Sequence, residues 1–225
     1  MEEKFLTDIV HDLKTPITSI IGFIELLQKG DQSEAARKEY YDIIDSEAHR
    51  LLNMINNVLH ICKDQNSAEP VEDEKSDVSI QIGKYVDELK PLASKRNVRI
   101  DVNSDPDLFV SIPESKISRI FLNIIENAIK YNKDNGQILI NIYKEDKKII
   151  VKIRDTGLGI PPEDIDKIFN KYYRSSDHRK LEIPGTGLGL TIANDIVKSY
   201  GGKIDVSSEV GKKTEFTVII PEASL

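Results

Sequence analysis

His11 is the first residue of this 225-residue chain that could do chemistry, because a carboxylate and a hydroxyl stand near it in the string His11-Asp12-Leu13-Lys14-Thr15-Pro16. Neutral imidazole is a nucleophile, and its unperturbed pKa of about 6.5 makes the neutral form the major one at neutral pH. A carboxylate that accepts the proton of one ring nitrogen raises the nucleophilicity of the other nitrogen. His11, with Asp12 as its proton acceptor, is therefore a candidate catalytic nucleophile.

A polar stripe interrupts an otherwise apolar helix that we expect from Pro113 to about Tyr131. The stripe consists of Arg119, Asn123, Asn127 and Lys130, which follow one another at steps of four, four and three. Asparagine is a poor helix former, so two asparagines one turn apart indicate a ligand more than a solvated face. A carboxamide oxygen can coordinate Mg²⁺ without adding charge to a site crowded with phosphates. The chain has no GxxxxGK[ST] string, so the usual phosphate loop is absent.

Two glycine strings follow, Asp155-Thr156-Gly157-Leu158-Gly159 and Gly185-Thr186-Gly187-Leu188-Gly189. A carboxylate at Asp155, directly after a predicted strand, can accept a hydrogen bond from the amino group of adenine and so select adenine over guanine. The glycines of the first string let the backbone pass close to the base. The second string leads into a predicted helix, whose first backbone N–H groups can hold phosphates.

In this order the four strings resemble the H, N, G1 and G2 boxes of the sensor histidine kinases of two-component signalling, and the resemblance extends from Phe5 to about Pro221. The stretch Ile165–Arg174, which includes Phe169 and Tyr172, is similar to the F box of that family. The resemblance implies that Asn127 is the Mg²⁺ ligand, that Asn123 contacts phosphate or a metal-bound water, and that Tyr131 walls the adenine site. It implies a nucleotide site formed by Asn123, Asn127, Lys130, Tyr131, Asp155, Gly157, Gly159, Ile160, Tyr173, Arg174, Gly185, Thr186, Gly187, Leu188 and Gly189.

The family resemblance also implies the reaction. ATP bound with Mg²⁺ would give its γ-phosphoryl group to His11 of a homodimer, and the group would then pass to an aspartate on a response-regulator receiver domain. Catalysis would consist mostly of positioning and of charge neutralisation by Mg²⁺, Lys130 and Arg174. Thr15 is linked in this family to the reverse task, in which it orients a water that removes the phosphoryl group from the regulator. Asp12 would serve the kinase direction.

The first part of the chain predicts two amphipathic helices. Apolar residues recur at steps of three and four in two series: Leu6, Ile9, Leu13, Ile17, Ile20, Ile24 and Leu27, then Tyr41, Ile44, Ala48, Leu51, Ile55, Val58 and Cys62. Gly30-Asp31 should end the first helix and Ser33 should cap the second. A hairpin cannot bury both stripes alone, so we expect a homodimeric four-helix bundle. His11 lies roughly 160° from Leu13 on the helical wheel and should point outward, while Pro16 should bend the helix beyond it.

The rest of the chain predicts an α/β sandwich, a mixed sheet with helices on one face. We expect helices at Val78–Leu92 and Leu190–Tyr200, and strands at Val98–Val102, Gln137–Tyr143, Lys148–Arg154, Lys203–Val206 and Glu215–Ile220. The fold class is therefore α plus α/β. We divide the chain into a dimerisation and phosphoacceptor hairpin (1–62), an acidic linker (63–77) and a catalytic ATP-binding domain (78–225).

Composition excludes several partners. The 38 Asp and Glu residues outnumber 31 Lys and Arg, and no basic cluster suggests nucleic-acid binding. No apolar run approaches the roughly 20 residues of a membrane helix. The single Cys62 suits a reducing compartment. Because Met1 lies only ten residues before His11, we expect the cytoplasmic part of a longer sensor, which itself could be membrane-anchored.

Three other functions share parts of this pattern. An ATP-hydrolysing clamp of the gyrase type has a similar pocket but places a water-activating glutamate where this chain has Asn123. A serine kinase acting on an anti-sigma partner would lack the hairpin that contains His11. A binding scaffold that has lost catalysis would not be expected to keep all four strings.

Overall fold

The computed structural model describes residues 2–64, 75–171, 173–174 and 187–223, with the backbone alone at 2–12, 49–50, 53–54 and 56–64. The side chains of His11 and Asp12 therefore lie outside the described residues, as do Tyr172, Gly185 and Thr186. The chain divides into two compact units, residues 1–68 and 69–225, and each is described by itself.

The first unit is a helical hairpin. Helix α1 extends over Glu2–Lys29 and continues through Pro16, and α2 extends over Glu34–Asp64. Gly30 has a φ of 77°, in the left-handed region that commonly ends a helix. The Ser33 hydroxyl accepts a hydrogen bond from the Ala36 amide at 3.3 Å, as expected of a helix cap. Both predicted helices and the turn between them are confirmed.

The hairpin leaves one apolar stripe uncovered. The stripe, which we call the exposed stripe, comprises Ile17, Ile21, Ile24, Tyr41, Leu52 and Ile55. Its members follow helical spacing on each helix, and each side chain is at least 40 % exposed. In contrast, Ile20, Leu27, Ile44 and Leu51 are only half-exposed. The expected single stripe per helix was thus too simple, because Ile21 and Leu52 also belong to the exposed face.

The second unit contains a five-stranded mixed sheet. In chain order its elements are β1 (Ser76–Asp77), α3 (Val78–Ser94), β2 (Arg99–Ser104), β3 (Phe109–Val110), α4 (Glu114–Lys130), β4 (Gln137–Glu145), β5 (Lys148–Asp155), α5 (Pro162–Ile165), α6 (Gly189–Ser199), β6 (Lys203–Glu209) and β7 (Lys213–Pro221). The strand order is β2-β4-β5-β7-β6, in which β2 and β4 are parallel and the other neighbours antiparallel. Strands β1 and β3 form a separate two-stranded sheet.

The core lies between one face of the sheet and the helices. Strand β4 alternates buried Ile138, Ile140 and Ile142 with half-exposed residues, and β7 buries every second side chain in the same way. Helix α4 supplies seven buried residues: Ile117, Ile120, Phe121, Ile124, Ile125, Ala128 and Ile129. Each large apolar side chain removed from water contributes about 1.5–3 kcal/mol. The opposite face bears polar pairs such as Arg154 and Glu215, joined at 2.7 Å, so the helices cover one face as expected.

The structure also departs from the sequence-based boundaries. Ser76 and Asp77, expected to end the linker, form β1, and the Asp77 carboxylate caps α3 by accepting from the Ser79 and Ile80 amides at 2.8 and 3.2 Å. Strands β1 and β3 and the short α5 were not anticipated. Among the described residues, no helix has the length and apolarity that crossing a membrane needs.

Candidate functional site

Helix α4 presents its polar stripe on a half-buried face. Asn127 is half-buried, and no described residue forms a hydrogen bond with its carboxamide. Asn123 differs, because its Nδ2 donates to the Arg119 carbonyl at 2.5 Å. A Cβ added to Gly189 would lie 2.5 Å from the Asn123 Oδ1, so that oxygen packs against the start of α6. Asn127 thus offers its carboxamide to a ligand, whereas Asn123 joins α4 to α6.

Lys130, at the end of the stripe, forms an ion pair with Glu126 at 2.9 Å. The two side chains are 28 % and 40 % exposed, so water screens the pair. Such a partly exposed pair contributes at most about 1 kcal/mol. Lys130 can therefore exchange Glu126 for a phosphate at little cost.

Asp155 ends strand β5 as predicted and is almost fully buried, at 4 % exposure. Burial raises the pKa of its carboxyl to about 6, although hydrogen bonds from the backbone of Gly157 and Thr214 lower it in part. The Gly157 amide donates to Oδ1 at 2.8 Å. This carboxyl is thus ionised at neutral pH in a poorly solvated place, where a donor from a ligand would stabilise its charge.

Gly157 and Gly159 are required by packing within the protein. A Cβ on Gly157 would lie 2.3 Å from the Tyr131 carbonyl oxygen. Gly159 has a φ of 73°, and a Cβ there would lie 2.4 Å from the carbonyl oxygen of Glu209, the last residue of β6. The sequence suggested that these glycines make room for a base. The structure adds a second reason, since at each glycine a Cβ would collide with backbone atoms of the protein itself.

The turn after β5, which contains both glycines, is held in place by two backbone amides. Leu158 donates to the Tyr131 carbonyl at 3.0 Å, and Ile160 donates to the Ser208 hydroxyl at 2.8 Å. The end of α4, the turn after β5 and the hairpin β6–β7 are thereby held in one arrangement.

Tyr131 directly follows α4, and the positive charge of Arg174 acts on its hydroxyl. Burial raises the pKa of the Tyr131 hydroxyl, and the positive charge of Arg174 opposes this in part. The predicted adenine wall and the predicted phosphate contact are thus neighbours.

Tyr173 has a structural partner that the sequence did not indicate. Its hydroxyl donates to the Asp164 Oδ1 at 2.5 Å, and Asp164 is buried. On the other side, the Thr191 hydroxyl of α6 donates to the Phe169 carbonyl at 2.9 Å. The stretch that contains Phe169 and Tyr173 is thereby fastened to both α5 and α6.

The described part of the second glycine string lies at the start of α6. Gly187 has a φ of 68°, and Leu188 is buried and directly precedes the helix, which begins at Gly189. The predicted contacts Gly185 and Thr186 lie outside the described residues.

Sequence reasoning missed several buried polar residues around Asp155. Asn132 is 1 % exposed, accepts from the Thr156 hydroxyl at 3.1 Å and donates to the Gln137 carbonyl at 3.3 Å. Thr214 is also buried and pairs with Asp155 across the strands. A signal for Thr214 existed, because it is a polar residue at the buried positions of an alternating strand.

Comparisons with known proteins agree with this geometry. Residues 113–224 match the family described as histidine kinase-, DNA gyrase B- and HSP90-like ATPases. Residues 1–66 match the His Kinase A (phospho-acceptor) domain. This chain belongs to the sensor histidine kinases. Two domains typical of their catalytic core therefore occur here in the same order.

Individual relatives support the family. The chain is 35 % identical over 219 residues to the signal transduction histidine-protein kinase ArlS of Staphylococcus haemolyticus. The matched residues make up 97 % of this chain and 48 % of ArlS. It is 29 % identical over 222 residues to the sensor histidine kinase WalK of Bacillus subtilis, covering 97 % of this chain and 36 % of WalK. The chain thus spans about half or less of these relatives.

A solved structure supports the fold. The histidine kinase ThkA in complex with the response regulator protein TrrA superposes with a TM-score of 0.73 at 22 % identity, covering 98 % of this chain and 61 % of that one. At this identity the likeness establishes the fold alone.

The raised pKa of Asp155 makes stability depend on pH. Because the folded state holds this proton more tightly than the unfolded state, the carboxyl's contribution to stability is complete below pH 4 and is lost as pH rises through 6. Relative to Asp155→Asn, the wild type should lose on the order of 3 kcal/mol of unfolding free energy between pH 4 and pH 7. Urea unfolding of both proteins over this range measures the difference, and a difference that does not vary with pH would contradict the assignment.

Proposed function

We propose that this chain is an ATP-dependent protein-histidine kinase that phosphorylates His11 and passes the phosphoryl group to an aspartate of a response regulator, and that it also dephosphorylates that regulator. One observation supports this most: the buried Asp155 carboxyl ends β5, while the neighbouring α4 bears Asn127, whose carboxamide forms no hydrogen bond with a described residue. The carboxylate can accept a hydrogen bond from the adenine amino group, and the carboxamide oxygen can coordinate Mg²⁺.

The nucleotide site would use the residues that the sequence pattern named. Asp155 would accept from the adenine amino group, and Tyr131 would form a wall beside the base. Lys130 would leave Glu126 for a phosphate, and Arg174 would add a second positive charge. The remaining contacts would come from Asn123, Gly157, Gly159, Ile160, Tyr173, Gly185, Thr186, Gly187, Leu188 and Gly189.

A magnesium ion fits this donor set. Mg²⁺ usually takes one or two protein oxygens and completes its octahedron with phosphates and water. Asn127 would supply the protein oxygen. The ion would neutralise charge on the β- and γ-phosphates.

The proposed transfer forms one bond to the γ-phosphorus while another bond to it breaks. A lone pair of one His11 ring nitrogen forms the N–P bond to the γ-phosphorus while the bond between that phosphorus and the β–γ bridging oxygen breaks, and ADP leaves with the electron pair. Asp12 would accept the proton of the other ring nitrogen, which stabilises the positive charge on the ring. The receiver aspartate then attacks the same phosphorus and regenerates the histidine.

The exposed stripe supports a homodimer. Six large apolar side chains at helical spacing are exposed on one hairpin, and a second copy of the hairpin would cover them in a four-helix bundle. Both ATP and the receiver domains of response regulators are found in the cytoplasm, and we place the activity there. The histidine kinase ThkA was solved in complex with a response regulator protein, which supports the same class of partner for this chain.

His11→Gln should abolish incorporation of label from γ-labelled ATP with Mg²⁺. ATP affinity should stay within about threefold, since the nucleophile and the nucleotide site belong to separate units. The wild-type label should be lost in acid and kept in base, as a phosphoramidate is. Label that persists on the variant, or that survives acid, would refute His11 as the acceptor.

Asn127→Ala should weaken Mg²⁺-dependent ATP binding by about 1.5–3 kcal/mol, because a charge-assisted contact is lost. Asn141→Ala is the matched control, since Asn141 lies on the uncovered face of the sheet and bonds to Asn103 at 3.0 Å. Calorimetric titrations with and without EDTA compare the two variants. Equal affinity of Asn127→Ala and wild type in the presence of Mg²⁺ would exclude this metal ligand.

The full chain should sediment as a dimer at micromolar concentration. Ile21→Glu puts a charge into the exposed stripe and should shift the chain to monomer, because a buried unpaired charge is costly. Ile80→Glu, at a residue of α3 that is 57 % exposed, is the control and should leave the dimer intact. A monomeric wild type, or a dimer that tolerates Ile21→Glu, would argue against the bundle.

Thr15 is exposed, so its hydroxyl can reach a docked partner. Thr15→Ala should therefore lose phosphatase activity toward the phosphorylated regulator and keep autophosphorylation, whereas Asp12→Asn should mainly lose autophosphorylation. The decay of purified phospho-regulator, with ADP present, measures the first activity. If Thr15→Ala speeds that decay as well as wild type, Thr15 does not orient the water.

A further inference from the structure

Arg96 lies in the turn between α3 and β2, outside every string that suggested chemistry, yet its guanidinium reaches the end of α4. We propose that Arg96 is a positioning residue of the nucleotide site, which acts through Tyr131 and Asn132 on the turn after Asp155. Its Nη1 donates to the carbonyls of Ile129 and Lys130 at 3.3 and 2.5 Å. Its Nη2 donates to the Asn132 carbonyl at 2.8 Å.

The geometry suits arginine in particular. The last carbonyls of a helix have no partner within the helix, and the C-terminal end attracts positive charge. A planar guanidinium presents several donors in a fixed fork, so one side chain can hold three carbonyls at once. The third nitrogen, Nε, pairs with Asp134 at 3.1 Å and fixes the plane of the group. A lysine would keep the charge but could not reproduce the fork.

Arg96 is itself held by the loop that it supports. Its carbonyl accepts from the Asn135 amide at 3.1 Å, and the Arg99 amide donates to the Gly136 carbonyl at 3.0 Å. The loop from Tyr131 to Gly136 is therefore joined to the start of β2 through side chain and backbone alike.

Hydrogen bonds connect this loop, which Arg96 holds, to the turn that follows Asp155. The Tyr131 carbonyl accepts from the Leu158 amide, and the Asn132 Oδ1 accepts from the Thr156 hydroxyl at 3.1 Å. A Cβ on Gly157 would lie 2.3 Å from the Tyr131 carbonyl oxygen, so the turn packs closely against the loop at this residue. Without the hydrogen bonds of Arg96, the loop and the turn after β5 could shift. The Asp155 carboxyl would then move away from the position in which it accepts a hydrogen bond from adenine.

The inference rests on the proposed nucleotide site and predicts a loss of selectivity as well as of affinity. Arg96→Lys in the full chain should weaken ATP binding about tenfold, since three hydrogen bonds from a charged group are lost. GTP, which cannot donate an amino group to Asp155 in the same way, should change by less than about twofold. Competition of each nucleotide against a labelled ATP analogue gives the ratio of the two affinities.

Two comparisons separate positioning from general destabilisation. A variant that only unfolds a fraction of the molecules lowers both affinities equally and keeps their ratio, and thermal unfolding measures that fraction directly. Arg99→Lys is the matched control, because Arg99 is 75 % exposed on its side chain and pairs only with Asp101 at 2.8 Å among the ion pairs described. It should change neither affinity nor ratio.

A second variant tests the route if Arg96→Lys does not fold. Asn132→Ala keeps Arg96 and its carbonyl partners but removes the link to Thr156, and it should lower the ratio of ATP to GTP affinity in the same direction. An unchanged ratio in either folded variant overturns the inference. A wild-type chain that binds no ATP overturns the proposed function and this inference with it.

Discussion

The contact between the Tyr131 carbonyl and Gly157 is the constraint on which the nucleotide site depends. No side chain fits between them, because even a Cβ would lie 2.3 Å from the carbonyl oxygen. The approach brings the last turn of α4 against the turn after β5, and the Leu158 amide fixes it by donating to the same carbonyl. Asp155 lies buried beside this contact, and burial raises the pKa of its carboxyl to about 6. The ionised carboxylate can accept a hydrogen bond from a ligand.

Asn123 favours the proposed phosphoryl transfer to the protein over hydrolysis. A clamp of the gyrase type would need a glutamate where Asn123 lies, and here that side chain bonds to the Arg119 carbonyl. The helix has two glutamates, and both have cationic partners: Glu114 pairs with Lys84 at 3.4 Å and Glu126 with Lys130 at 2.9 Å. Asn123 itself cannot act as a base for water, because a carboxamide does not take up a proton at neutral pH, and this agrees with the proposed transfer to the protein.

Local sequence patterns predicted most of the regular elements. Apolar steps of three and four predicted α1 and α2, an apolar run after Pro113 predicted α4, and alternating residues predicted the strands β4 and β5, which pair antiparallel. The place of Asp155 at the end of β5 was predicted because the carboxylate follows an alternating run and precedes glycines. Such features lie within a few residues of one another, so one chain suffices to recognise them.

What escaped prediction depends on contacts between distant segments. Arg96 lies 33 residues or more from the carbonyls that it binds, and nothing near it in the sequence marks it. The packing role of Gly159 depends on Glu209, and the buried hydrogen bonds of Asn132 depend on Thr156 and Gln137. The β1–β3 pair was missed for the same reason, since two residues without a periodic pattern become a strand only beside their partner.

The carboxyl titration of Asp155 tests the nucleotide site most directly. A ¹³C NMR titration of labelled protein should give a pKa near 6 for this group without nucleotide. Saturation with ATP should lower this pKa, because the adenine amino group donates to the ionised form, whereas GTP should not lower it. A free carboxyl that titrates near its ordinary value, or one that responds equally to both nucleotides, would contradict the account.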